Sequence, residues 1–232
     1  MSEYFSWARA FRIFPKILNG LGITLMTVVL ALVIATVIGL LLALIRVRKV
    51  PVLNQIAVVA ISFVRGTPLI VMLFIVYYGL PLLVGNLFGV DLSGVDAVVF
   101  GIIAFGINQA AFMAELFRGG IEAIPAGQTE AARAVGLTGW QTFRRVLLPQ
   151  AVRLVIPGYG VMSVNMFQST ALVAALGVMD VMGRASAMGV ATNHYLEPYF
   201  DAGVIFVVFG VAMDFGFRVL SKRFSRGVAK AS

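Results

Sequence analysis

Side chains able to do chemistry are scarce in this chain. Of its 232 residues 12% are charged and 60% are hydrophobic, so an ionisable group inside an apolar run is costly and calls for a reason. The only histidine, His194, falls near Glu197 and Asp201. A metal centre needs three or four ligands, so a solvated loop histidine is expected and no metal is assigned. The absence of cysteine removes disulfides, thiolate chemistry and Cys-based zinc sites. No GxxxxGK phosphate loop occurs, nor any Gly-Lys pair, so ATP hydrolysis by this chain is not expected. No Ser, His and Asp combination suggests nucleophilic catalysis, and a non-catalytic protein is expected.

What remains is suited to passing a polar solute. Asn108 and Gln109 fall in one apolar run, and Asn165, Gln168, Ser169 and Thr170 in another. Such amides and hydroxyls either meet a solute or bind neighbouring helices together. Thr67-Pro68 marks either a helix break that bares backbone groups to a cavity or a plain kink. Glu115 and Arg118 are three apart, and Asp214 and Arg218 four apart. Each is a local helix pair reaching toward the interface, or, for Glu115 and Arg118, a gate pair.

The elements that hold these groups follow from the length of the apolar runs. A helix crossing the ~30 Å hydrocarbon core needs about 20 apolar residues. Five runs qualify, at about residues 21–45, 67–87, 97–117, 154–178 and 202–220. The first is too long for the core of a signal peptide and is read as retained. Residues 56–64 are too short to cross and are expected to form an interfacial helix before the Arg65-Gly66-Thr67-Pro68 break. The fold class expected is an all-α integral membrane protein with five spans.

Lys and Arg set the orientation. The segments before span one and after span four hold 4 of the 18 basic residues; those after spans one, three and five, with Arg218, hold 13, among them Arg226 and Lys230. The amino end is therefore expected outside and the carboxyl end inside. The formal charge of +8 is placed as a topology determinant, and nucleic-acid binding is not expected.

Between spans three and four the chain builds a charged, small-residue-rich segment, EAARAVGLTGWQTFRRVLLPQ, from 130 to 150. Pro125 suits a first helical turn, a helix follows over 127–135, and Gly136 falls at a left-handed cap. Thr138 is a second cap, and Trp140, Phe143, Val146 and Leu147 recur at helical spacing until Pro149, expected to stop the helix. The alanines leave the first helix little bulk, and Glu130 adds one charge for register. From periodicity alone, the pair is either a docking element or an amphipathic helix on the lipid surface.

Glu130, Ala131, Ala132, Gly136, Leu148 and Pro149 match the EAA signature of permease subunits of bacterial ABC importers. GTPLIVMLFIVYYGLP over 66–81 and FMAELFRGGIEAIPAGQTEAARAVG over 112–136 resemble the branch that takes up polar amino acids (His, Glu, Gln, Arg) and opines. The resemblance covers nearly the whole chain, so residues 1–232 are expected to be one ABC transporter transmembrane domain with a coupling region at 119–150. It implies cytoplasmic coupling helices that fit an ATPase groove through Glu122, Glu130, Ala131, Ala132, Gly136, Leu148 and Pro149. It further implies an ABC ATPase dimer holding ATP and Mg, a second permease subunit (identical or related), a periplasmic or surface-tethered solute-binding protein, and the bacterial cytoplasmic membrane. In many such permeases span four reads roughly GNEF and then LKDTSLV; here Val161 and Met162, then Gln168, Ser169, Thr170, Ala171, Leu172 and Val173, lack the acidic residues. An ion-gradient transporter, which would carry carboxylates at mid-depth, and a membrane scaffold are the rival readings.

Overall fold

The computed structural model describes residues 5–225; Arg226 and Lys230 lie outside them. Among the described residues every regular element is helical: α1 Trp7–Leu18, α2 Leu21–Val47, α3 Leu53–Gly66, α4 Leu69–Phe88, α5 Ala97–Glu122, α6 Ala126–Ala134, α7 Gly139–Leu176, α8 Val181–Thr192 and α9 Leu196–Ser225. Five of them, α2, α4, α5, α7 and α9, are long and apolar enough to cross a membrane.

The centre is α5. In its most apolar stretch 67% of residues are buried, against 28% or less in the other four. Small residues explain how the neighbours reach it. On α2, Ala31, Ala35, Gly39 and Ala43 recur every four residues and are buried, and a Cβ on Gly39 would lie 2.9 Å from that of Met113 and 3.1 Å from the Ala110 carbonyl oxygen. Lipid gives no hydrophobic drive between helices, so close backbone approach supplies the packing. The opposite stripe of α2, Val29, Val33, Val37 and Leu41, is exposed and wholly apolar, as a lipid-facing stripe must be.

Side-chain neighbours fix the directions. Gly106 of α5 lies against Ile34 and Gly39 against Met113, so α2 and α5 run parallel; Gly101 against Val173 and Gly120 against Val155 make α7 antiparallel to α5. Gly160 against Phe217 and Gly210 against Gln168 make α9 antiparallel to α7. One end of the bundle thus carries the 48–52 turn and the segment between α5 and α7, and the other carries α1 and α8.

Three features depart from or add to the expected picture. The segment expected to lie flat before the break is the helix α3, whose Ile61 packs on Ala111 and Ala114 partway along α5. Met72, Leu73 and Val76 of α4 pack farther along α5, at Phe100 and Phe105, so α3 and α4 follow α5 in succession, and α4 alone is long enough to cross. Pro149 does not end a helix. A π turn at Phe143–Leu147 adds a residue to the register, so Pro149 falls in the first positions of the following α-helical segment, Leu148–Ser169, where its missing N–H is tolerated. The elbow helix and span four are therefore one helix, α7. Glu197 and Asp201, close to His194 in sequence, occupy the first turns of α9 and are 0% and 3% exposed, because α1, for which the apolar runs gave no signal, covers them. Arg9 Nε stands 3.0 Å from Glu197 Oε1, and the Ser6 amide donates to the same oxygen at 2.9 Å.

Candidate functional site: the elbow and the polar groups of the bundle

The elbow begins where α5 ends. Glu122 is the last residue of α5, and Pro125 caps α6. Gly136 has φ +81°, the left-handed conformation that glycine adopts without a Cβ penalty. There the Gly136 amide donates to the Arg133 carbonyl at 2.9 Å and the Leu137 amide to that of Ala132 at 3.1 Å, so the closing carbonyls of α6 are satisfied. Two residues on, a reciprocal capping box starts α7: the Gln141 amide donates to Thr138 Oγ1 at 3.3 Å and the Thr138 amide to Gln141 Oε1 at 2.9 Å. The α6 helix packs back on the π turn of α7, and Gln150 Nε2 donates to Gln128 Oε1 at 3.2 Å.

This tight fold-back leaves much of itself uncovered. Of the residues matching the signature, Ala132 is buried while Glu130, Ala131, Gly136, Leu148 and Pro149 are exposed. Val135 is 76% exposed and Trp140 67%, with Trp140 stacked on Phe143 at 5.8 Å between centroids. Glu130 has no ion-pair partner among the described residues. Beneath the elbow, between α2, α5 and α7, is an apolar cavity of about 240 Å³ walled by Leu40, Phe117, Phe143, Leu147, Val155 and Tyr159. At its rim Thr36 Oγ1 and Tyr159 Oη are 2.9 Å apart.

The Glu115 and Arg118 pair is part of something larger. Arg118 places Nε and Nη2 at 3.1 and 2.7 Å from Glu115 Oε2. Arg46, at the end of α2, takes Glu115 Oε1, and Arg118 Nη1 also bonds Glu122. In the sequence Arg46 counts toward orientation alone, because nothing in local spacing reveals a partner on another helix. Asp214 and Arg218 form a one-turn pair at 2.7 Å, with Arg218 74% exposed.

The polar groups of the spans divide. Gln109 Nε2 donates to the Met162 carbonyl at 3.2 Å and ties α5 to α7. Ser169 and Thr170 donate to carbonyls of their own helix, those of Asn165 and Phe167, at 2.8 and 2.6 Å. Thr67 donates to the Phe63 carbonyl at 2.8 Å, filling an acceptor at the break. Asn108 is buried within α5, whereas Asn165 and Gln168 lie on an exposed stripe of α7 with Leu154, Val161 and Leu172. The structure therefore does not gather the seven into one pocket. No group of three or more His, Asp or Glu side chains is placed to hold a metal among the described residues.

The class these features fit is a membrane permease subunit, with five spans and an uncovered helical elbow continuous with one of them. The comparisons agree. Residues 35–226 match the family model described as the binding-protein-dependent transport system inner membrane component, and the chain belongs to that family. It is 40% identical over 212 residues to the L-cystine transport system permease protein TcyL of Bacillus subtilis (strain 168), covering 91% of this chain and 88% of that one. To the arginine transport system permease protein ArtQ of the same organism it is 37% identical, covering 87% and 89%. The crystal structure of an amino acid ABC transporter with histidines superposes with a TM-score of 0.82 at 30% identity, covering 94% of this chain and 99% of that one. An inward-facing methionine ABC transporter, MetNI, gives 0.69 at 19% identity over 95% and 99% of the two chains, and shares the fold.

The protein is thus a permease subunit of an ABC importer, a multi-pass protein of the bacterial cytoplasmic membrane. It is the non-catalytic component, with ATP hydrolysis belonging to the partner ATPase. The family implies an ATPase, a solute-binding protein and a second permease as partners, and the ion-gradient and scaffold readings fall away.

Proposed function

We propose that this permease carries a polar amino acid or a related compound such as an opine, delivered by a periplasmic or surface-tethered binding protein. Relatives named for cystine, arginine and glutamine support the substrate class. In this reading the elbow end faces the cytoplasm, in keeping with the distribution of basic residues, and the elbow seats in a groove of an ATPase dimer that holds ATP and Mg. Glu122, Glu130, Ala131, Ala132, Gly136, Leu148 and Pro149 form the coupling region; this chain holds no cofactor of its own.

One observation carries the coupling reading. From Gly139 to Leu176 the chain is one uninterrupted helix, so a displacement at Trp140 is delivered to span four without an intervening loop to absorb it. An amphipathic helix serving only to rest on lipid would need neither that continuity nor the reciprocal cap.

The second permease, a copy or a relative, covers the exposed stripe of α7. An amide facing hydrocarbon without a partner costs several kcal/mol, on the order of 2 to 7. The α2 stripe facing lipid has no polar residue, whereas the α7 stripe has Asn165 and Gln168. Those two residues are the ones we place on the solute path, with Thr67, Asn108, Gln109, Ser169 and Thr170 supporting it. Uptake measured in proteoliposomes holding permease, ATPase and loaded binding protein tests the whole. ATP-dependent accumulation of a polar amino acid is expected; uptake by the permease alone would overturn the reading.

A further inference from the structure

Four charges alternate along the elbow end of the bundle: Arg46 on α2, then Glu115, Arg118 and Glu122 on successive turns of α5. Both Glu115 oxygens are taken, one by each arginine. The side chains of Arg46, Glu115 and Arg118 are 21%, 19% and 29% exposed, and that of Glu122 46%, so the ladder runs from the shielded seam of α2 and α5 outward to the start of the elbow. Its net charge is zero, which is what lets four ionised groups share one end of an apolar bundle.

The elbow follows Glu122 after two residues, Ala123 and Ile124. The α5 helix is thus joined to the elbow by the chain itself, whereas α2 is not. Along their length α2 and α5 meet through small residues that permit close contact, with one weak directional contact, Thr36 Oγ1 to Met113 Sδ at 3.8 Å. Arg46 supplies a charged one, to Glu115. Arg65, at the end of α3, lies over the Phe112 ring at 5.4 Å and takes no part in the ladder.

We propose that Arg46, Glu115, Arg118 and Glu122 form a strut that carries displacement of the elbow across to α2, so that α2 and α5 move as one body, with Arg46 as the positioning residue. This rests on the coupling reading above. It differs from a gate: a gate pair must part during each cycle, whereas a strut must stay closed.

The complete lack of cysteine makes the distinction measurable. In proteoliposomes holding the whole importer, Arg46→Ala is expected to leave assembly and basal ATP hydrolysis near the parent level while lowering solute moved per ATP about tenfold, within the usual range of coupling energies. The double variant Arg46→Cys with Glu115→Cys, which keeps the Arg118 and Glu122 pair, should show the same loss. Tying its two thiols with a short, reducible bis-thiol reagent should restore transport per ATP, and reduction should abolish it again. A tie that blocks transport would overturn the strut in favour of a gate, and full coupling in the untied double variant would overturn it outright. If the parent complex itself shows no ATP-dependent uptake, the coupling reading has failed rather than the strut.

Discussion

The two ends of the bundle treat charge in opposite ways. At the end that carries α1 and α8, Asp180, Glu197 and Asp201 are buried, and Asp180 is pinned: its Oδ1 accepts from the Gly183 amide at 2.8 Å, and Thr24 Oγ1 lies 3.4 Å from Oδ2. At the elbow end Glu130, Arg133, Arg144 and Arg145 are exposed, and so are the apolar Val135 and Trp140. The first end packs these three carboxylates among its own helices, leaving Glu197 Oε2 and Asp201 Oδ2 without a hydrogen-bond partner. The second leaves its Trp and Val uncovered, the surface that the proposed coupling to an ATPase would bury.

If that contrast is right, substitutions at the closed end should act on folding and those at the elbow on assembly. The largest effect is expected at Gly20, where an added Cβ would lie 2.5 Å from the backbone carbon and oxygen of Asp180. Backbone cannot step aside as a flexible side chain can, so Gly20→Ala should cost about 3 kcal/mol, read as loss of thermal stability in detergent. A Gly20→Ala protein of parental stability would break the comparison.

Next comes Asp180. Burial pushes its carboxyl up to about 6 from 3.8, against the opposing help of the Gly183 amide and Thr24. Because the folded state holds the proton more tightly, the cost of the ionised form is fully present above about pH 6 and disappears as the pH falls toward 4. Thermal stability should therefore rise as the pH is lowered from 7 to 5, and Asp180→Asn should flatten that rise. A parent curve that falls over the same interval would contradict the burial argument.

Smaller effects belong to the elbow. Trp140→Ala should leave thermal stability within about 0.5 kcal/mol but weaken ATPase association by about tenfold, as loss of an exposed aromatic anchor does, measured by co-purification at graded subunit concentration. Glu130→Gln, which removes charge and keeps shape, should weaken association only a few-fold, on the order of 1 kcal/mol or less for a charge at a solvent-accessible rim. Were either variant to unfold the permease while assembly of the remaining folded fraction stayed normal, the division between the ends would be wrong.

The legibility of the molecule from its sequence follows the range of the interactions. Four of the five spans lie close to the expected runs, because crossing hydrocarbon demands a length that composition displays directly. Gly136 and the Thr138 cap were legible because their bonds are local. The continuity of α7 was not: Pro149 is a helix breaker in an α register, and a π turn leaves no periodic trace strong enough to shift that register on paper. Arg46 and Glu115, 69 residues apart, meet only after two helices have packed in parallel. The burial of Glu197 was not legible for the same reason, since its cover, Ser6 and Arg9, comes from the far amino end. Of the polar residues in the spans, sequence marked their presence but not which face of each helix they occupy.

The π turn at Phe143–Leu147 also bears on the aim of the elbow. It takes up one extra residue within a turn, so excising one residue there would leave Trp140 on nearly the same side of span four, whereas excising one from the ordinary α-helix that follows would rotate everything before the cut by about 100°. Trp140 would then point toward a different azimuth while the five crossings stayed put, and a permease could be inserted, folded and yet mis-aimed at its motor.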